Sequence, residues 1–276
     1  MLIRDEIKFS VSMSVYHGDN PTFFREAIQS VFDQTLLPDE LILVVDGEVS
    51  NEIKKIIRQF EISNNIDTIW LKENKGHGNA RRVGLENCTH ELVAIMDSDD
   101  VCVASRFEKQ IDCFIENKEL AILGSSILEF SDDISKSIGK RVLPTQDMDI
   151  KKLLKVRCPF NHMTVMFKKS EVERAGGYKD WHHNEDYYLW IRMCLNGSVF
   201  SNLQEVLVYA RTNEEFYKRR GGWKYFLSEY KLQKFMYYKG INSLFSYFTN
   251  VIIRFVVQLL LPNYIREKVF IKFFRQ

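Results

Sequence analysis

A cluster of carboxylates, Asp97-Ser98-Asp99-Asp100, directly follows the apolar run 92–96. Such a run is typical of a buried parallel strand, and the C-terminal ends of these strands face the crevice where α/β sheets bind ligands. Carboxylates this close together repel one another unless a cation lies among them. Their oxygen atoms suit Mg2+ or Mn2+, and these ions suit a substrate that carries a diphosphate. By itself, the tetrapeptide is also compatible with an acidic loop that caps the next helix.

The first half of the chain alternates strand-like and helix-like segments, which is typical of βα units around a mainly parallel sheet. The predicted strands are 8–16, 41–46, 67–71, 92–96 and 121–130, and the predicted helices are 21–34, 51–64, 79–88 and 104–117. The loops after the first four strands begin at Tyr16, Asp46, Lys72 and Asp97. We expect these loops to meet at one edge of the sheet and to build one site there.

The pattern is less regular in the second half of the chain. The polar stretch 131–156 predicts a mobile connection over the site, 159–167 is strand-like, and 181–194 has apolar and aromatic residues at helical spacing. Glu185 and Asp186 lie in the first turn of that predicted helix, where carboxylates commonly do no more than complement the helix dipole. We divide the chain into a predicted body, 1–217, and a C-terminal extension, 218–276.

Charge is distributed unequally between these two parts. Twelve Lys and Arg residues against two Glu give the extension a formal charge of +10, which leaves −9 for the rest of a chain whose net charge is +1. This asymmetry favours a localised anionic partner over a nucleic-acid-binding surface spread across the fold. The five cysteines include no Cys-x-x-Cys pair and the first residues include no apolar signal segment, so we expect a protein of the reducing cytoplasm.

The extension is aromatic, basic and patterned for amphipathic helices. Its longest apolar stretch, 251–261, is interrupted by Arg254 and Gln258, so it is shorter than the roughly 20 residues of a membrane-spanning helix. A basic amphipathic helix can lie in the plane of an anionic membrane surface. The same apolar stripe could instead pack on the body, or on a second copy of the chain in a homodimer.

Several motifs, in this order and spacing, resemble those of the family 2 glycosyltransferases. They are SMSVY (12–16), QTLLPDE (34–40), VVDG (44–47), MDSDD (96–100) and NEDYYLW (184–190). PFNHMTV (159–165) and RRGG (219–222) are similar to the branch that builds bacterial capsule, O-antigen and exopolysaccharide repeat units. The resemblance covers about residues 9–230. It implies a GT-A fold, a twisted sheet flanked by helices, together with a nucleotide-diphosphate-sugar donor, a divalent metal (Mn2+ or Mg2+) and inversion at the anomeric carbon.

The resemblance also implies roles for individual residues. Asp99 would hold the metal, with help from Asp97, while Asp186 would be the general base with Glu185 beside it. Independently of the resemblance, His162 lies in a strand-like run expected near the metal and is a further candidate as a metal ligand or an acceptor contact. The candidate donor contacts are Val15, Tyr16, Asp46, Asn79, Arg81, Asp97, Ser98, Arg219 and Arg220, of which Asn79, Arg81, Arg219 and Arg220 are proposed because helix N-termini and arginines favour a diphosphate. Structural roles remain open for several of them: Tyr16 as a rim aromatic, Asp46 as a turn residue, His162 as a core histidine, and 219–220 as a basic linker.

These expectations combine into an inverting, metal-dependent enzyme that transfers galactose or glucose from a UDP-sugar to a lipid-diphosphate-linked saccharide at the inner face of the cytoplasmic membrane. A sugar-phosphate nucleotidyltransferase is one alternative. That class predicts a Gly-rich, basic loop after the first strand, where this chain has Tyr16-His17-Gly18-Asp19-Asn20. A non-catalytic scaffold of a polysaccharide assembly is the other alternative, and it predicts that the acidic pairs are missing.

Overall fold

The computed structural model describes residues 4–131, 133–212, 220–262, 264–266 and 268. The strands are β1 (Phe9–Tyr16), β2 (Glu40–Asp46), β3 (Ile66–Trp70), β4 (Leu92–Met96), β5 (Val101–Cys102), β6 (Leu120–Phe130), β7 (Ser137–Arg141), β8 (Met166–Lys168) and β9 (Val199–Arg211). The α-helices are α1 (Pro21–Phe32), α2 (Asn51–Glu61), α3 (His77–Asn87), α4 (Arg106–Glu116), α5 (Asp147–Leu154), α6 (Lys169–Arg174), α7 (Glu185–Leu195), α8 (Trp223–Tyr238) and α9 (Leu244–Phe255).

The strands form one sheet in the order β3-β2-β1-β4-β8-β6-β9-β5, with β7 paired to β6. Strands β1 to β4 are mutually parallel, as the alternating pattern predicts. Strand β8 runs antiparallel to both β4 and β6, and β5 runs antiparallel to β9. The sheet is therefore mixed, with a parallel half that carries the first four loops.

Both faces of the sheet are covered, which explains why its central strands read as continuous apolar runs. Along β4, Leu92, Ala94 and Met96 belong to a core shared with α1, α2 and α4. Val93 and Ile95 point to the opposite core, which α3 and α5 to α8 complete. Every residue of β4 is buried for this reason.

Two predictions for the second half of the chain are wrong. The stretch 131–156, expected to be a mobile connection, contains β7 and α5. Ile150 and Leu154 of α5 are fully buried, so apolar packing orders this segment despite its polar composition. The run 159–167 is mostly not a strand, because a 3-10 turn at His162–Thr164 precedes the short β8.

The C-terminal extension packs on the body through α8. Leu232 and Met236 of α8 are fully buried in the core that α3 and α5 to α7 share. Helix α9 lies on α8, where Arg254 forms a buried ion pair with Glu229 and Asn250 donates to Gln233 Oε1 over 2.9 Å. A π-helical turn, Val256–Leu260, follows α9. Among the helices of the described residues, none combines the length and apolarity needed to cross a bilayer.

Candidate active site

The C-terminal ends of the parallel strands meet at one edge of the sheet, as the sequence predicts. Tyr16 at the end of β1 pairs in register with Asp46 at the end of β2. Met13 of β1 pairs with Met96, the last residue of the neighbouring parallel strand β4. The acidic cluster that follows Met96 therefore lies beside the C-terminal part of β1. The sheet thereby brings three of the predicted loops to one place.

Asp97 is held by a buried arginine. Arg81 of α3 is 1% exposed, forms an ion pair with Asp97, and donates to Met96 O over 3.0 Å and to Ser12 O over 3.3 Å. Burial alone would raise the pKa of Asp97, but Arg81 and then His77 hold it below its usual value. Arg81 therefore keeps Asp97 ionised and fixes it to the middle of β1 and the end of β4.

Asp99 forms no such ion pair within the described residues, and other carboxylates lie close to it. Burial, followed by the charges of Asp97 and Asp19, raises the pKa of Asp99 to about 7. Asp19 comes from the loop after β1, and one of its oxygens accepts hydrogen bonds from Ser98 Oγ over 2.9 Å and Tyr16 N over 2.9 Å. Burial raises the pKa of Asp19 as well. Sequence reasoning missed Asp19 as part of the cluster, although its loop was expected at this edge.

Asp100 is anchored from the far end of the sheet by Arg211 of β9. Its Oδ1 accepts from Arg211 N over 2.7 Å, and Arg211 Nε donates to Asp99 O over 3.0 Å. The other oxygen of Asp100 is buried with no hydrogen-bond partner among the described residues, and burial raises the pKa of this carboxyl well above its usual value. The sequence analysis predicted neither β9 nor Arg211.

This donor set fits a hard divalent cation. A bound cation would reduce the repulsion among the carboxylates of Asp97, Asp99 and Asp19. It would also stabilise the ionised form of Asp100, whose second oxygen has no partner among the described residues. Among the described residues, the group of three possible ligands whose atoms all lie within 4.8 Å of one another is His77, Asp97 and His162, so Asp99 lies outside that group. Burial lowers the pKa of His162 to about 3, so its imidazole is neutral, the form that binds metals. Which of these residues are the ligands stays a prediction, with Asp99, Asp97 and His162 as the expected set.

The second acidic centre lies beside the first. Glu185 accepts from His77 Nδ1 over 2.6 Å, and His77 Nε2 accepts from Arg81 Nε over 3.1 Å. These contacts form an unbroken chain from Asp97 through Arg81 and His77 to Glu185. His77 opposes the effect of burial and holds the pKa of Glu185 below its usual value. The sequence marks the segment around His77 as a helix start able to contact a diphosphate, but it predicts no contact between His77 and Glu185.

The surroundings of Asp186 raise its pKa and make its carboxylate more basic. Burial, and then the charge of Glu185, raise the pKa of Asp186 to about 6. Its Oδ1 accepts from Tyr187 N over 2.6 Å, and its Oδ2 lies 3.5 Å from Cys158 Sγ. At neutral pH the carboxylate is ionised but more basic than an ordinary aspartate.

Helix α8 positions the start of α7, and so the acidic pair. Ser228 Oγ donates to His182 O over 2.6 Å and accepts from Asn184 Nδ2 over 3.0 Å. Trp181 Nε1 donates to Ser228 O over 3.3 Å. His183, between these anchors, has a φ of 55°, a strained value for a residue with a side chain. The extension therefore contributes directly to the geometry of this centre.

The other expected donor residues lie in four different surroundings. Val15 is 1% exposed in the core, whereas Tyr16 is 40% exposed at the rim. Asp46 is buried, and its two oxygens accept from Lys75 N over 2.9 Å and Gly76 N over 3.0 Å, which shapes the loop into α3. Asn79 lines a cavity of about 250 Å³ beside Tyr178.

Two arginines complete the predicted donor set. Arg220 lies in the turn before α8, and Arg219 lies outside the described residues. Donor contact by Arg219 and Arg220, as by Val15, Tyr16, Asp46, Asn79 and Ser98, stays a prediction.

With this geometry established, comparison with known proteins decides the family. The profile of glycosyl transferase family 2 matches residues 10–173, more than half of the chain. The chain is a family 2 glycosyltransferase. The resemblance on which the site assignments rest is confirmed, and the nucleotidyltransferase and scaffold alternatives are set aside.

Similar proteins of this family support the surface-polysaccharide branch. Over 273 residues this chain is 41% identical to the Escherichia coli UDP-Gal:alpha-D-GlcNAc-diphosphoundecaprenol beta-1,3-galactosyltransferase, and the match covers 98% of each chain. It is 38% identical over 226 residues to the amylovoran biosynthesis glycosyltransferase AmsE of Erwinia amylovora, covering 82% of this chain and 84% of AmsE. The solved structure of S. aureus TarS 1-349 with UDP-GlcNAc aligns with a TM-score of 0.66 at 17% identity, covering 91% of this chain and 73% of that one. This likeness confirms the expected α/β, GT-A fold class.

Proposed function

We propose that this glycosyltransferase transfers one hexose, with galactose as the first candidate and glucose as the second, from its UDP-sugar to a lipid-diphosphate-linked saccharide. The observation that carries the proposal is the chain of contacts that joins the two acidic centres, from Asp97 through Arg81 and His77 to Glu185. It allows one sugar to be reached by the donor machinery on one side and by a base on the other. The near full-length likeness to a galactosyltransferase that uses such substrates supports the choice of sugar and acceptor.

On the donor side, the chain supplies fixed negative charge around a place for a cation. Asp99 and Asp97, with His162, would hold Mn2+ or Mg2+, which when bound acts as a Lewis acid on the diphosphate oxygens. Arg81 orients Asp97 from behind, and Arg211 fixes the backbone of Asp99. These contacts pre-organise the cluster, so little rearrangement is needed when the donor binds.

On the acceptor side, Asp186 takes the proton. The acceptor hydroxyl oxygen bonds to the anomeric carbon while the bond from that carbon to the phosphate oxygen breaks, and the hydroxyl proton passes to the Asp186 carboxylate. One displacement from the opposite face inverts the anomeric carbon and releases UDP. General-base help of this kind is typically worth ~100 to 10,000-fold in rate.

We further propose that the outer face of α9 lies on the anionic inner leaflet of the cytoplasmic membrane, where a lipid-linked acceptor is held. The exposed apolar residues of this face are Leu244, Phe245, Phe248, Ile252, Ile253 and Phe255. They belong to an extension of formal charge +10. Apolar burial and about 1 kcal/mol for each nearby Lys or Arg would both favour such a surface.

Vesicle binding tests the membrane proposal. A Phe245→Ser/Phe248→Ser variant should bind phosphatidylglycerol vesicles at least roughly tenfold more weakly than the unmodified protein, because two aromatic side chains no longer enter the interface. Leu37→Ser, another exposed apolar position but in the loop after α1, serves as the control. Unchanged vesicle binding, or a change in oligomeric state instead, would show that α9 faces something other than lipid.

The transferase proposal is tested by supplying each of UDP-galactose, UDP-glucose and UDP-N-acetylglucosamine with Mn2+ and a synthetic N-acetylglucosamine-diphospholipid, then measuring UDP release and lipid-linked product. A hexose donor should give product only when the acceptor is present. UDP release without any lipid-linked product from every donor would contradict the assignment.

A further inference from the structure

A cysteine thiol lies against the carboxylate of the proposed base. Cys158, between α5 and the 3-10 turn, places Sγ 3.5 Å from Asp186 Oδ2 and 3.6 Å from Phe160 O. A thiol has one proton to donate, and a carboxylate is the stronger acceptor because it carries charge. The other oxygen of Asp186 accepts from Tyr187 N, and the thiol supplies a side-chain donor to the carboxylate.

We propose that Cys158 is a positioning residue for the base, donating its S–H to Asp186 Oδ2 so that the carboxylate keeps both its orientation and its ionised form. This inference rests on the proposed role of Asp186. The thiol fixes Oδ2, and the backbone N–H of Tyr187 in α7 fixes Oδ1. The carboxylate therefore keeps one orientation relative to the acceptor hydroxyl.

The chemistry of Cys158 suits a permanent donor. Burial, and then the charge of Asp186, raise the pKa of Cys158 well above its usual value, so the thiol stays protonated. The reciprocal effect is visible at Asp186, where the thiol hydrogen bond lowers a pKa that burial and Glu185 raise. Thiols are weak donors, so the contribution is modest but directional.

Other groups act electrostatically on Asp186 from the neighbouring elements, and of these His77, Tyr178 and Tyr225 donate no hydrogen bond to it among the described residues. Glu185 on α7 adds negative charge and His77 on α3 offsets it. Burial raises the pKa of Tyr178, before α7, and of Tyr225, on α8, so both stay neutral. Arg141 of β7 acts on the thiol itself and opposes its raised pKa.

A simpler role for Cys158 is to fill space against the core that contains Phe160 and Trp190. Loss of packing alone would lower stability without moving the titration of Asp186. Cys194 is a matched control, since it is also half-buried, packs on the same core and lies on α7 with Asp186. The pH profile therefore separates the two roles.

The experiment compares Cys158→Ala, Cys158→Ser and Cys194→Ala in the full chain, using the pH dependence of kcat/KM. Without the thiol donor, the pH at which kcat/KM falls on the acidic side of the profile should rise by roughly 0.5 to 1 unit in Cys158→Ala. In Cys158→Ser, whose hydroxyl also donates, this pH should equal that of the unmodified protein or lie below it. Cys194→Ala should leave it unchanged. A limb that stays in place in Cys158→Ala, or moves upward equally in the serine variant, overturns the proposal.

A second readout separates this inference from the proposed function. Carboxyl 13C titration of Asp186 follows its ionisation whether or not the enzyme turns over. If Asp186→Asn is inactive but the Asp186 titration is identical in unmodified, alanine and serine proteins, the Cys158 inference alone fails. If Asp186→Asn transfers sugar normally, the assigned base is wrong. Should the alanine variant not fold, a raised Asp186 pKa in Cys158→Ser overturns the inference, because the serine hydroxyl still supplies a donor.

Discussion

The two acidic centres differ in how their charge is balanced. In the cluster that follows β4, Asp97 has Arg81, but Asp99 and Asp100 crowd together and burial raises the pKa of each. At the start of α7, Glu185 has His77, which leaves Asp186 as one carboxylate with a pKa of about 6. The first arrangement suits a cation and the second suits a proton. Similar residues thus acquire different chemistry from their neighbours.

The largest effect is expected from removing the proton acceptor. Asp186→Asn keeps the size of the side chain but cannot accept the hydroxyl proton, so kcat should fall ~100 to 10,000-fold. Asp149→Asn, at an exposed carboxylate on α5 that pairs with Lys152, is the control and should be nearly normal. Near-normal turnover by Asp186→Asn, measured as product formation, would erase the distinction between the centres.

Breaking the arginine contact should unbalance the first centre. Arg81→Met leaves the partly buried Asp97 without its positive partner, which should cost up to about 3 kcal/mol in unfolding free energy. Arg82→Met, one residue along α3, removes an exposed pair with Glu86 and should cost less than ~0.5 kcal/mol. Chemical denaturation of both variants measures the difference, and equal small losses would show that Arg81 does not balance this centre.

The pH dependence sharpens the comparison at the second centre. Because Asp186 acts only when ionised and its pKa is about 6, kcat/KM should be level above that value and fall about tenfold for each pH unit below it. Donor affinity, measured over the same range, separates this limb from effects on binding. A limb near pH 4, where an unperturbed aspartate titrates, would show that the buried site does not raise the pKa of the base.

The smallest effect is expected from loosening the support of the second centre. Ser228→Ala removes the hydroxyl that bonds His182 O and Asn184, so kcat should fall a few-fold while stability falls by about 1 to 2 kcal/mol. Ser246→Ala, on α9 and away from α7, is the matched control. If kcat were the same in both variants, α8 would not position the acidic pair.

The sequence predicts the site residues that belong to a local pattern, and it misses those that reach the site only through contacts between distant parts of the chain. The strand-plus-acid pattern at 92–100 and the helical spacing after Glu185 identify both centres, because burial and helical periodicity leave short-range marks. His77 carries no such mark, since its value lies in reaching Glu185, 108 residues away in the chain. Arg211 is similar, because β9 must pair with β6 before its last residue reaches Asp99.

Local patterns also misjudged order in the second half of the chain. Strand β7 is five residues long and lacks a buried face, so periodicity does not reveal it. Cys158 looks like any half-buried cysteine until α7 is packed beside it. Long-range contacts, rather than local propensity, decide these positions.

The central claim is that one centre binds the donor and the other moves the proton, and equilibrium binding of a UDP-hexose with Mn2+ tests it most directly. Asp186→Asn should bind the donor within about twofold of the unmodified protein, although it does not transfer the sugar. Asp99→Ala should lose metal-dependent affinity by roughly 10 to 100-fold. Equal loss of donor affinity in both variants, or full affinity in Asp99→Ala, would contradict the division of labour between the two centres.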